Sequence, residues 1–260
     1  RMCISEWSSQ IAGEILDNPN EDWIDTPTQK VIELDDDTWE LLEQWLPHVR
    51  RVFMTGGEPT IIKRNMDYIN KIVASGRGKD VELIFTTNAT NINKQFTKVG
   101  KEFKSVSYNV SIDAVGTLAR YIRYPSDWDT IENNLKNIKH GVSFNTTIQW
   151  LNMTRLNEIF DYIENCGIEF GGIWFQLVTY APIFMKEKCI SDIDNFLNRP
   201  FLNEEKFNNI LYGELKQSLI QTKEFLIKNM DNVQHVDEFL KRMEILDRLR
   251  GQKLFDVLPE

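Results

Sequence analysis

The sequence predicts an α/β fold: a parallel sheet, curved or barrel-like, followed by a helical C-terminal extension. Three observations predict it. Strand-like and helix-like segments alternate from Val52 to Thr179, the pattern of parallel strands joined by crossover helices. Residues 203–250 carry no strand signal and show apolar stripes at helical spacing instead. Parallel sheets place their chemistry at the C-terminal ends of strands, which puts "TGGEP", "TTNAT", "SIDAVG", "WLN" and "TYAP" on one rim.

The elements follow in order. Val52–Thr55 reads as a buried strand that runs into "TGGEP". Met66, Ile69, Ile72 and Val73 give residues 64–75 one apolar face, and Gly76 stops that helix. Val81–Asn88 is the next strand, followed by a helix with Ile92, Phe96, Val99 and Phe103 on one side. "SVSYNVSI" (105–112) alternates as a strand does. Residues 126–140 form a helix striped by Trp128, Ile131, Leu135 and Ile138. Phe144–Trp150 is a strand, residues 154–165 a helix presenting Leu156, Ile159, Phe160 and Ile163, and Gly172–Thr179 the last strand. In the extension, one stripe is Leu211, Leu215, Leu219 and Leu226; another is Val236, Phe239, Leu240, Met243 and Leu246. The expected division is 1–185 for the core and 186–260 for the extension, packed on it because such stripes are too long to leave exposed.

Composition bounds the function. The chain has 260 residues, 42% hydrophobic and 27% charged, ordinary for a globular protein. No apolar run reaches the roughly 18 residues of a membrane span, so no membrane association is expected. A net charge of −9 and a pI near 5.0 disfavour nucleic acid as a partner. Cys3, Cys166 and Cys189 do not make a disulfide framework and suit a reducing cytoplasm. The chain opens on Arg1, and its true N-terminus is expected upstream.

"TGGEP" is built to bring bare backbone close to a ligand. Gly56 and Gly57 accept backbone angles that other residues resist, and Pro59 holds Glu58 extended. A phosphate cradle usually runs into a helix and adds Lys or Ser/Thr; here the charged member is Glu58. A carboxylate beside free backbone suits an ammonium group. The alternative is a tight turn with a solvated Glu58.

Cys3 followed by strand–"GGEP" resembles the radical SAM enzymes, and the resemblance continues along most of the chain. "SIDAVGTLARYIRYPSDWDTIENNLKNI" is similar to the family segment leaving the fourth strand, "TTNAT" to the third-strand exit with Ala89 in place of a glycine, and "TTIQWLNM" to the fifth-strand exit. "LVTYAP" and "LDRLRGQKLFDVLPE" resemble the sixth-strand exit and the tail of SPASM- and twitch-type, peptide-modifying members. The resemblance implies a partial (β/α)6 TIM-like barrel of the radical SAM type. Its cofactors would be a 4Fe-4S cluster and S-adenosylmethionine (SAM), with Cys3 as a cluster ligand. Gly56, Gly57, Glu58 and Pro59 would meet the methionyl amine. Ser111, Asp113 and Arg123 would hold the ribose or carboxylate, with Asn152 and residues 178–182 on the adenosine side. The activity implied is reductive cleavage of SAM and hydrogen abstraction from a substrate, a peptide being the leading class, with an external one-electron donor such as a flavodoxin. One departure stands out. If Cys3 is the third cysteine of CxxxCxxC, the other two and the first strand lie before Arg1, and one thiolate cannot hold the cluster. A SAM-binding or interaction domain without redox activity is the alternative. Cys189 would serve an auxiliary cluster or be plainly buried.

Other residues get structural readings. His48, His140 and His235 have no metal spacing. Trp39 and Trp45 share a helix with Leu41 and Leu42 and are expected in the core. Asp35–Asp37 reads as a helix start, favoured by the macrodipole.

Overall fold

A computed structural model describes residues 8–23, 34–92, 98–138, 141–168, 170–178, 186–203, 210–229 and 236–258. The fold is mixed α/β, as expected. Among the described residues, five strands lie in the sheet order β1-β2-β3-β4-β5: β1 is Arg51–Met54, β2 Glu82–Thr87, β3 Ser105–Ser111, β4 Val142–Ile148 and β5 Phe170–Leu177. Pairings of β1 with β2, β2 with β3 and β4 with β5 are all parallel. Strands paired in sequence order are what successive βα crossovers give. The chain divides into two compact units, Met2–Val110 and Ser111–Glu260.

In the first unit, helices α1 (Ser9–Asp17), α2 (Asp36–Gln44) and α3 (Lys63–Ala74) accompany β1 to β3. Burial alternates along β2: Leu83, Phe85 and Thr87 are buried while Glu82, Ile84 and Thr86 are half-buried. On β3, Tyr108 and Val110 are buried, and Phe85 stacks on Tyr108 with centroids 5.7 Å apart. Tyr68, Ile69 and Ile72 bury the inner face of α3. Burying a side chain such as Phe85 is worth about 1.5–3 kcal/mol. The opposite sheet face pairs Ile84 with Ser107 and Thr86 with Asn109. Sheets covered by helices on both faces read apolar throughout; this alternation leaves one face half-polar.

The second unit repeats the pattern. Its helices are α4 (Gly116–Ile122), α5 (Trp128–Asn137), α6 (Trp150–Met153), α7 (Leu156–Asn165), α8 (Lys186–Leu197), α9 (Ile210–Lys228), α10 (Val236–Arg250) and α11 (Leu254–Val257). Val142, Phe144, Thr146 and Ile148 are fully buried along one face of β4. The other face aligns Ser143 with Gly172, Asn145 with Trp174 and Thr147 with Gln176. A Cβ at Gly172 would lie 2.7 Å from the Trp174 ring, so only glycine lets the indole lie there. Phe160 of α7 stacks on Phe196 of α8 (4.0 Å, 12°) and meets Phe175 of β5 edge-on (5.5 Å, 68°). α9 packs against β5 with Leu215, Leu219 and Leu226 fully buried. The C-terminal segment is tied in where Leu254 N–H donates to Asp247 Oδ2 (2.6 Å) and Arg155 Nη1 to the Val257 carbonyl (3.2 Å).

The strand expected to reach Trp150 ends at Ile148, and Trp150 opens a helical turn. Trp39 and Trp45 are not core residues: α2 buries none of its side chains, and Trp45 is 59% exposed. α2 instead lies on α3 through its surface. Tyr68 Oη donates to the Leu42 carbonyl, Arg64 pairs with Asp36, and Lys71 with Glu43. Trp39 rests against Tyr68 and under Arg64. Asp35 caps α2, accepting from Thr38 N–H, with Asp36 and Asp37 in the first turn, as the acidic run suggested. In α10, Leu240 is 40% exposed and Ile245 is buried. Of the helix expected to carry Phe96, residues 93–97 lie outside the described residues, as do His140 and His235. No helix among the described residues is long and apolar enough to cross a membrane.

Candidate functional site

Two clusters gather the residues singled out by sequence, one in each unit. In the first, the chain leaves β1 through Gly56 (φ +87°) and Gly57 (φ +49°). Both are exposed, and neither makes a backbone hydrogen bond among the described residues. A Cβ at either would meet nothing within 4 Å. These glycines are therefore required by backbone angle rather than by crowding within the chain. An L-residue held in the left-handed region costs about 1–2 kcal/mol.

Glu58 is 9% exposed, so the solvated-turn alternative fails. Its Oε1 accepts from Thr60 N–H (3.2 Å), Thr60 Oγ1 (2.5 Å) and Thr87 Oγ1 (2.7 Å). Its Oε2 accepts from Asn88 N–H (2.7 Å). The carboxylate therefore clamps the loop after β1 to the end of β2 and holds the glycines at a fixed place. Pro59 is buried, and its carbonyl accepts from Asn65 Nδ2 on α3 (3.0 Å). Beyond Asn88, Ala89 sits fully buried at φ +59°, the conformation a glycine would adopt freely. Thr60, Thr87 and Asn88 were not singled out as partners of Glu58; adjacency in "EPT" and "TTN" was the available signal.

The second cluster starts where β3 ends. Ser111 is half-buried. Asp113 is 6% exposed. Its Oδ1 accepts from Thr147 N–H (2.9 Å), and its Oδ2 pairs with Arg123 Nη2 (2.7 Å). Arg123 caps the C-terminal end of α4 with its side chain 25% exposed, and its Nε is buried with no partner among the described residues. A planar, partly exposed guanidinium suits a second carboxylate. Asn152, expected to face a ligand, does not. It is 0% exposed; Nδ2 donates to the carbonyls of Asp113 (2.7 Å) and Thr147 (2.8 Å), and Oδ1 accepts from Gln149 N–H (2.8 Å). Its hydrogen-bonding capacity is spent inside the protein.

The remaining candidates fall elsewhere. Cys3 and residues 179–182 lie outside the described residues. Cys189 is fully buried, and burial pushes its thiol up to about 12. Cys166 is half-buried at the C-cap of α7, before β5, and burial raises its pKa. Among the described residues, no group of three or more His, Cys, Asp or Glu side chains could hold a metal ion.

No protein-family model matches the chain, and no curated protein sequence matches it significantly. Solved structures do. SuiB from Streptococcus suis bound to S-adenosylmethionine is 14% identical, with a TM-score of 0.44 over 79% of this chain and 44% of that one. SuiB bound to its precursor peptide SuiA is 16% identical, with a TM-score of 0.43 over 66% of this chain and 39% of that one. The chain spans less than half the length of either.

Proposed function

We propose that this chain is the SAM-binding part of a radical SAM enzyme. The observation that carries the reading is the Gly56–Gly57 backbone: exposed, at positive φ, without backbone hydrogen bonds among the described residues, and fixed by the buried Glu58 clamp. Free carbonyls are suited to an ammonium, and the buried Glu58 carboxylate, its own hydrogen bonds spent on Thr60, Thr87 and Asn88, holds them in place. Separately, in the other unit, the partly exposed Arg123 guanidinium paired with Asp113 suits a carboxylate, and Ser111 a hydroxyl-bearing group such as a ribose. Residues 1–185 would form the core and 186–260 its extension.

A bound 4Fe-4S cluster would supply the electron for splitting SAM. No described residue forms a site for it, and Cys3, the expected ligand, lies outside the described residues. The residues described here bear only on SAM. The intact protein would abstract a hydrogen from its substrate, a peptide by the resemblance of "LVTYAP" and the C-terminal tail, and would draw electrons from a donor such as a flavodoxin in the cytoplasm. The test is production of 5′-deoxyadenosine by the full-length protein, reconstituted anaerobically and reduced with dithionite. Stoichiometric 5′-deoxyadenosine supports the reading; a reconstituted protein that leaves SAM intact defeats it.

A second reading, a SAM-binding or interaction domain without redox activity, is favoured by the placement of Cys166 and Cys189, neither of which belongs to a ligand set among the described residues. It is distinguished by the same preparation: SAM binds, but iron and sulfide are not incorporated.

A further inference from the structure

We propose that Asn152 is a positioning residue that fixes the Asp113–Arg123 pair; its role toward SAM rests on the reading above. An asparagine amide has two N–H donors and an acceptor oxygen. Here they serve two carbonyls and one N–H, on Asp113, Thr147 and Gln149. These bonds converge on the two residues that matter for the carboxylate. Asp113 carries it, and the Thr147 N–H holds its Oδ1 at 2.9 Å. With Oδ1 committed, Oδ2 is aimed at Arg123 Nη2 at 2.7 Å. The amide thus sets both the backbone beneath the carboxylate and the donor that orients it.

The chemistry admits few substitutes. Aspartate has the same shape but sets an oxygen against two carbonyl oxygens. Leucine would leave two carbonyls and an N–H buried and unpaired, each at the full desolvation cost of that group. A role confined to stability would weaken the whole unit evenly. A positioning role releases the Arg123 guanidinium first, because Asp113 is its only ion-pair partner among the described residues.

Asn152→Asp tests this through two readouts. The first needs no ligand. The Arg123 Nε–H resonance is expected to be resolved and slow to exchange with solvent in the wild type, and to merge with those of exposed arginines in Asn152→Asp, while far-UV circular dichroism is unchanged. The second is calorimetric titration with SAM. Asn152→Asp is expected to raise Kd at least tenfold. Because both changes act through one contact, the double variant Asn152→Asp/Arg123→Gln should bind within about twofold of Arg123→Gln alone. An unaltered Arg123 resonance, or losses that multiply in the double variant, overturns the proposal. Should the wild type not bind SAM, the reading of function fails, and the Arg123 resonance still decides whether Asn152 positions the pair. If Asn152→Asp does not fold, Asn152→Ser, which keeps a donor, is carried through the same two measurements.

Discussion

Replacing Glu58 by glutamine tests the clamp that holds the glycine loop. The carboxylate accepts three hydrogen bonds on Oε1 and one on Oε2. A glutamine can keep its oxygen at the Oε1 position and retain the bonds from Thr60 and Thr87. Its amide nitrogen then faces Asn88 N–H, donor against donor. The bond lost is charge-assisted and buried, worth about 1.5–3 kcal/mol. The fully buried, positive-φ Ala89 beside it gives the strand exit little freedom to relax. About 2 kcal/mol of local stability corresponds to roughly a 30-fold rise in the open population, at 1.4 kcal/mol per decade. Amide exchange measured by mass spectrometry on peptides spanning 55–62 and 86–92 should accelerate by about that factor, with α9 unaffected. Thr60→Val removes only one hydroxyl donor and should have a smaller effect of the same kind. Protection in Glu58→Gln within about twofold of wild type would mean that the carboxylate does not clamp the loops.

Phe160→Ala removes a fully buried ring stacked on Phe196 and edge-on to Phe175, and should cost about 3–5 kcal/mol; a urea midpoint shifted by less than a 1 kcal/mol equivalent would contradict the packing. Cys189, buried and with its thiol pushed up to about 12, should resist iodoacetamide at pH 8 until the chain unfolds; labelling at equal rates in buffer and in urea would refute that, because the thiolate is the reactive form. Asp35 and Asp127 are held below the ordinary carboxylate range by hydrogen bonds from Thr38 and Thr130. Depressed folded values stabilise the fold above the unfolded pKa of 3.8, and that contribution is lost as pH falls through the folded values. Asp127→Asn should therefore flatten the decline in stability below about pH 4, and an identical slope in the variant would refute the capping role.

The strands were legible because their side chains alternate: Leu83, Phe85 and Thr87 on β2, and Phe144, Thr146 and Ile148 on β4, fall on buried faces. α8 went unread because Lys186, Cys189 and Asp192 stand on its buried face with Ile193 and Phe196, which hides the apolar period. Trp39 and Trp45 misled because an aromatic ring can rest on a surface, as Trp39 does on Tyr68 and Arg64, without entering a core. At the site, "GGEP", Asp113 and Arg123 were visible as residue types in place. What sequence could not give was direction. Glu58 and Asn152 carry the polarity of ligand contacts, yet their hydrogen bonds run to backbone and hydroxyl groups of the protein itself. Residue type names the donors and acceptors available; only the packed loops decide which way they turn.

The central claim is that the Gly56–Gly57 backbone takes SAM. Calorimetric titration of the chain with SAM, repeated with Gly57→Val, tests it most directly. Valine cannot hold φ +49° without strain, yet its Cβ would meet nothing within 4 Å, so the variant should fold with its loop displaced. Saturable one-to-one binding is expected of the wild type, and its loss, tenfold or more, in the variant. Binding that is absent in the wild type, or that survives the substitution unchanged, would contradict the claim.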